Sequence, residues 1–171
     1  MTETASFSRI EALSARPVVQ VGLIVRDLDR GMAAYSAVWG VAPWRVYTYG
    51  PELLTSQTFR GQPAEFSMAI GLAGSGPQLE LIQPLDGESV YTEWLELHGE
   101  GLHHVAVEVD SLEELTREME AAGYPMIQSG LGFGPDGDGG FAYYDTARDL
   151  GLVVEAIEEA ARIRDPERVF P

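Results

Sequence analysis

The chain has 171 residues, 45% of them apolar, a formal net charge of −16 and no cysteine. That length can bury one core, and the missing thiols exclude disulfides, thiolate zinc sites and iron–sulfur clusters. All eleven basic residues are Arg, which excludes lysine Schiff-base chemistry, and the negative charge opposes nucleic acid and anionic membrane as partners.

Residues 1–16 are polar and read as an arm, without the hydrophobic core of a signal segment. No later run approaches the ~20 apolar residues of a membrane helix, so a cytoplasmic location is expected. The first clear element is a β-branched strand over 18–25 (VVQVGLIV), whose only strongly polar member is Gln20. Asp27 can cap a helix over 28–39 with an apolar stripe of Met32, Tyr35, Val38 and Trp39, and Gly40 ends it. Strands follow at 44–49 (WRVYTY), 58–59, 64–72 (AEFSMAIGL) and 78–83 (QLELIQ), separated by Pro and Gly.

A linking helix is expected over 88–98, capped near Ser89, with Val90, Tyr91, Trp94 and Leu97 at helical spacing and His98 at its C-terminus. It runs into a strand over 102–109, where Val105, Val107 and Val109 share one face with His103, and His104, Ala106 and Glu108 take the other. The SLEE sequence at 111–114 opens a helix with a core stripe of Leu112, Leu115, Met119 and Ala122, ending at Gly123. Strands return at 125–128, 141–145 and 152–157, and 158–171 reads as a short helix and a tail. The glycine-rich stretch LGFGPDGDGG lacks the closing Glu of a calcium loop and reads as a flexible turn able to act as a lid.

A β-α-β-β-β pattern therefore occurs twice. Gln20-Val-Gly-Leu-Ile-Val overlays His104-Val-Ala-Val-Glu-Val at an offset of 84 residues (20 to 104), and Glu80 overlays Glu155 at an offset of 75 (80 to 155). Gln20, Glu80, His104 and Glu155 thus occupy two pairs of equivalent positions. Each sits mid-strand among apolar neighbours, and a strand Glu is costly to bury without compensation. One divalent cation, held by an imidazole nitrogen, two carboxylates and an amide oxygen, would compensate both. A wet sheet face, or pairing with Arg45 or Arg60, would do so too, and the residues taken singly leave these open. The paired positions favour the cation.

The doubled plan, with those four residues on the first and last strands of each module, resembles the vicinal oxygen chelate superfamily, which includes glyoxalase I, methylmalonyl-CoA epimerase, extradiol dioxygenases and bleomycin-resistance proteins. The resemblance implies an α+β fold in which two βαβββ modules form a cup-shaped open barrel. One domain would span 17–158, with module 1 at about 17–86, the linking helix at 88–98 and module 2 at about 101–158, followed by a tail over 159–171. It further implies Gln20, Glu80, His104 and Glu155 as ligands of one divalent ion (Zn, Ni, Co, Mn or Mg). The run ELIQPLDGESVYTEWLELHGEGLHHVAVEVDSLEEL looks most like methylmalonyl-CoA epimerase, whereas the ligand quartet and the opening QVGLIVRD look like glyoxalase I. The epimerase usually has His where this chain has Gln20, and positions at which glyoxalase I grips glutathione hold Ile24 and Pro84 here.

Both enzymes remove a proton next to a carbonyl, so the expected function is an epimerase or isomerase acting on a small carbonyl or thioester substrate. Glu155 is the first candidate for the base and Glu80 the second. A glyoxalase-like lyase is the alternative among enzymes, and a metal-free sequestering or resistance protein the alternative of another class. Arg45, Tyr47, Arg60, Phe133 and Tyr143 are candidate substrate contacts, with core and rim packing as the plainer reading, and His103 is a candidate support for the ligands. The family often dimerises, and the expected helical tail after Ile157 is the candidate dimer contact.

Overall fold

The structure is a computed structural model describing residues 7–171. Its elements run β1 (Val18–Ile24), α1 (Leu28–Trp39), β2 (Trp44–Tyr49), β3 (Ser56–Phe59), β4 (Gln62–Pro63), β5 (Ser67–Ala73), β6 (Gln78–Asp86) and α2 (Val90–His98). They continue with β7 (Gly101–Glu108), α3 (Leu112–Ala121), β8 (Met126–Leu131), β9 (Gly140–Tyr144), α4 (Ala147–Leu150), β10 (Val153–Glu158) and β11 (Arg168–Phe170). The strands form one curved, unclosed sheet in the order β11-β2-β5-β6-β1-β7-β10-β9-β8-β3-β4.

Two four-stranded modules meet at the antiparallel β1/β7 pair, and the register there tests the duplication. If Gln20 matches His104, then Gly22 matches Ala106, and a local two-fold must set Gln20 opposite Ala106 and Gly22 opposite His104. Both pairs are observed. The rows continue alike on each side. Gly22, Glu80, Leu72 and Arg45 pair in sequence across β1, β6, β5 and β2. Ala106, Glu155, Tyr143 and Gln128 do the same across β7, β10, β9 and β8. Directly paired residues share a face, so each row projects into the cup.

The concave face holds a core of Ile24, Tyr47, Phe66, Ile82, Tyr91, Tyr143 and their neighbours. On the convex face α3 buries Leu112, Leu115 and Met119 against Val107, Ala142 and Ala156, while α1 buries Leu28 and Met32 against Trp44 and Leu81. The caps read from sequence form as expected: Asp27 accepts from Arg30 N, Ser111 from Glu114 N, and Ser89 exchanges bonds with Thr92 in a reciprocal capping box. The apolar stripes are shorter than expected, because Val38, Trp39 and Leu97 are exposed at the ends of their helices. None of the described helices is long and apolar enough to cross a membrane.

The tail corrects the sequence reading. Among the described residues no helix follows Ile157; the chain runs extended and ends in β11, which pairs antiparallel with β2. The segment 159–167 has no apolar stripe to bury, and its Arg and backbone groups bond instead to the glycine-rich loop: Arg162 to Asp136, Ala161 N to Asp138 Oδ2, Arg164 to the carbonyls of Phe133 and Gly134. The helical dimer contact expected there does not exist.

Candidate metal centre

Glu80, His104 and Glu155 converge at the joint between the modules, and their ligating atoms all lie within 4.8 Å of one another. His104 is fully buried, and the carboxylates are nearly so, at 7% and 4% exposure for Glu80 and Glu155. The wet-face alternative is therefore ruled out, and neither Arg45 nor Arg60 forms an ion pair with either carboxylate. The ring of His104 lies over Gly22, where a Cβ would come within 1.8 Å of Cε1 and 2.0 Å of Nε2. Only glycine leaves that space, and a glycine inside an apolar strand was the available sequence signal for such a close approach.

The charges at this point do not balance by hydrogen bonding. His104 Nε2 stands 3.1 Å from Glu80 Oε2 and 3.1 Å from Glu155 Oε2. The directed hydrogen bond of Nε2 goes to Glu80; Glu155 Oε2, at the same distance, has the ionic contact and no directed hydrogen bond among the described residues. Burial pushes the Glu80 carboxyl up, offset in part by its bond to His104 and reinforced by Glu155. Burial alone would lower the His104 pKa, but the two carboxylates outweigh it and raise the pKa to about 9.

On its other side His104 Nδ1 is 2.9 Å from Nδ1 of His103. Burial, with the neighbouring charges of His104 and His98, drives the His103 pKa down to about 2, so His103 is neutral and its Nδ1 can accept. His104 Nδ1–H then donates to His103, whether Nε2 carries a proton or a cation. Tyr91 and Trp94 from α2 pack edge-on against His103, and Trp94 also lies against the ring of His98.

Glu80 and Glu155 form part of the wall of a cavity of about 930 Å³, with His104 behind them. Gln20 lies on the same wall, half-buried, with its amide Nε2 3.4 Å from Gln78 Oε1. Arg45, Tyr47, Phe133 and Tyr143 line the cavity as well. Arg60 does not; its guanidinium makes a two-pronged bond to Glu93 on α2, at 2.9 and 2.6 Å. Tyr91 donates to Tyr143 at 3.1 Å, and burial raises both phenols well above their usual range, so they stay protonated beside the carboxylates. Two residues not singled out from sequence matter here: Arg164, a cation on the wall, and Gln128, fully buried, which accepts from Val90 N and fixes the start of α2.

Residues 19–144 match the Glyoxalase/Bleomycin resistance protein/Dioxygenase superfamily. The chain belongs to this superfamily. Among solved structures it is similar to a hypothetical protein, BH1468, of Bacillus halodurans C-125, with a TM-score of 0.63 and 21% identity over 89% of this chain and 100% of that one. It is similar to methylmalonyl-CoA epimerase from Mycobacterium tuberculosis, with a TM-score of 0.62 and 19% identity over 88% of this chain and 94% of that one. A variant of the Streptomyces coelicolor methylmalonyl-CoA epimerase in complex with 2-nitronate-propionyl-CoA gives 0.61 and 18%, over 86% and 100%. At these identities the likeness is one of fold. No curated protein matches the sequence.

Members of the superfamily typically use a divalent metal, and the group found here fits one. A buried carboxylate oxygen lacks a donor, a second carboxylate and an imidazole nitrogen stand beside it, and the imidazole is held by its far nitrogen in the tautomer that a cation requires.

Proposed function

We propose that the protein is a metal-dependent epimerase or isomerase that moves a proton on the carbon next to a carbonyl. The observation that carries this reading is the donorless Glu155 oxygen, set with Glu80 and His104 at one buried point on the wall of a large cavity. Glu80, His104, Glu155 and the Gln20 amide oxygen would hold one divalent ion, and this oxygen-rich set suits Zn, Ni, Co, Mn or Mg. When bound, such an ion supplies a Lewis acid for the substrate oxygen.

The protein's own groups handle the proton. Glu155, on the wall and without a donor to Oε2, takes the proton from the carbon, and the C–H electron pair moves toward the carbonyl oxygen. Glu80, whose proton affinity burial has raised, is the second carboxylate able to carry a proton and return it. Tyr47, Phe133 and Tyr143 exclude water and position the substrate, and the neighbours named methylmalonyl-CoA epimerase make an acyl thioester the first substrate class to try. The donor set of Gln20, Glu80, His104 and Glu155 favours a second reading, a glyoxalase-like lyase acting on a hemithioacetal.

The test is deuterium incorporation from D2O by metal-loaded protein, with methylmalonyl-CoA in one arm and the methylglyoxal–glutathione hemithioacetal in the other. Exchange or turnover should appear in one arm and fall roughly 10²–10⁴-fold in Glu155→Gln. Reaction in the hemithioacetal arm alone selects the lyase. Metal-loaded protein inert in both arms, yet binding apolar ligands equally with and without Glu155→Gln, would replace the enzyme reading with sequestration.

A further inference from the structure

We propose that Arg164 is the cavity's receptor for an oxyanion of the ligand, a carboxylate or phosphate group set well apart from the reacting carbon. The chain's eleven Arg residues share the molecule with 27 Asp and Glu; Arg9, Arg16, Arg30, Arg60, Arg162 and Arg168 form ion pairs, and of the five that form none among the described residues, Arg45 and Arg164 line the cavity. Arg164 forms none among the described residues, although Asp165 adjoins it. Its guanidinium is fixed by neutral groups instead: Nε donates to Phe133 O at 2.8 Å and Nη2 to Gly134 O at 2.9 Å. Nη1 has no partner among the described residues. A half-buried cation, oriented by two carbonyls and left without a counter-charge on a cavity wall, is preorganised for an incoming anion.

The surroundings add a second donor. Tyr49 lies close enough to feel the Arg164 charge, with its ring stacked on Tyr47 at 6.2 Å and edge-on to Phe133 at 6.5 Å. Burial and the neighbouring Tyr47 push its pKa up to about 12, so the phenol keeps its hydrogen. The cavity wall also carries Glu108 and Glu159, which repel an anion elsewhere, Asp165 beside Arg164, and one further cation, Arg45, exposed on the Glu80 row.

The register gives the length of the ligand. Tyr49 pairs with Met68 and Met68 with Pro84, four residues along β6 from Glu80. Four residues of strand rise, together with the two strand spacings between β6 and β2, put Tyr49 roughly 16 Å from Glu80 across the sheet. The ligand class is therefore an extended carbonyl compound whose oxyanion sits about that far from the carbon that reacts. The identification of the near end as a reacting carbon rests on the proposed function; the anion site does not need it.

The experiment titrates the full chain, with and without metal, with decanoate and with uncharged decanamide, and then compares octanoyl-CoA with octanoyl-pantetheine. Wild type should bind the charged member of at least one pair at least about tenfold more tightly. The first pair reports a carboxylate and the second a phosphate. The preference should vanish in Arg164→Gln while the uncharged probe binds unchanged, and Arg164→Lys should retain part of it. Equal binding of both members of both pairs by wild type would overturn the proposal, even if Arg164→Gln proved too unstable to assay. So would a preference that survives Arg164→Gln and is lost in Arg45→Gln. Metal content in the same preparations separates failure of the anion site from failure of the metal centre.

Discussion

The two modules share their register residue for residue and differ in what leaves their last strands. After β6 the chain forms α2, whose Val90, Tyr91 and Trp94 pack against Gln128, Tyr143 and His103 of the second module. After β10 the chain stays extended and ends paired with β2, and residues of both rows, Arg45, Leu72 and Glu80 with Tyr143 and Glu155, wall a cavity of about 930 Å³. The central strands show the same asymmetry. His104 is fully buried, wedged over Gly22 and bonded to His103, whereas its counterpart Gln20 is half-buried and bonded only to Gln78. Duplication supplied four equivalent positions; the packing of α2 and His103 fixes the His104 position, and the Gln20 position is left half-buried on the cavity wall.

Breaking the buried half should have the largest effect. His104→Ala leaves Glu80 and Glu155 facing each other without their cation, and should cost about 3–5 kcal/mol in chemical denaturation of the metal-free protein. Metal binding should be lost in the same variant. Next comes Gly22→Ala, whose methyl would occupy the space of the His104 ring. It should lower metal affinity about 10–100-fold and stability by about 1–3 kcal/mol. The reciprocal change at the equivalent position, Ala106→Gly, should cost only about 0.5–1 kcal/mol and keep the metal. Comparable metal loss from both changes would remove the distinction between the halves.

A titration sharpens the comparison further. The His104 pKa is about 9 in the folded protein against an ordinary value of 6.5, so without metal its proton stabilises the fold fully below pH 6.5, and this contribution is lost as the pH rises through 9. A cation at Nε2 must displace that proton. Metal affinity should therefore rise about tenfold per pH unit between 7 and 9 and then level off, measured by competition with a chelator. An affinity flat across that window would mean that His104 is not a ligand. The smallest effect belongs to Arg60→Ala, outside the cavity, which should change stability by at most about 1 kcal/mol and leave metal content intact.

Much of the metal centre was legible in the sequence. The offsets of 84 and 75 residues pick out His104, Glu80 and Glu155 because the period of a strand and the register of a sheet survive duplication even where the residues do not. The helix caps were legible too, being local chemistry. What escaped depends on contacts between distant segments. Ser56–Phe59 looked like two residues of strand because its partner is β8, in the other module. The tail looked helical because its Glu, Ala and Arg residues favour a helix, and loop carbonyls and carboxylates 23 to 31 residues upstream outweigh that preference. Arg60, a candidate substrate contact from the sequence, bonds instead to Glu93 on a helix whose placement no local pattern reports.

The most direct test is elemental analysis of the full chain, purified and then reconstituted with a divalent transition metal, beside Glu80→Ala. Wild type should hold close to one equivalent, and the variant should lose it. Wild-type protein that holds no metal after reconstitution, or a Glu80→Ala variant that holds as much, would contradict the metal centre.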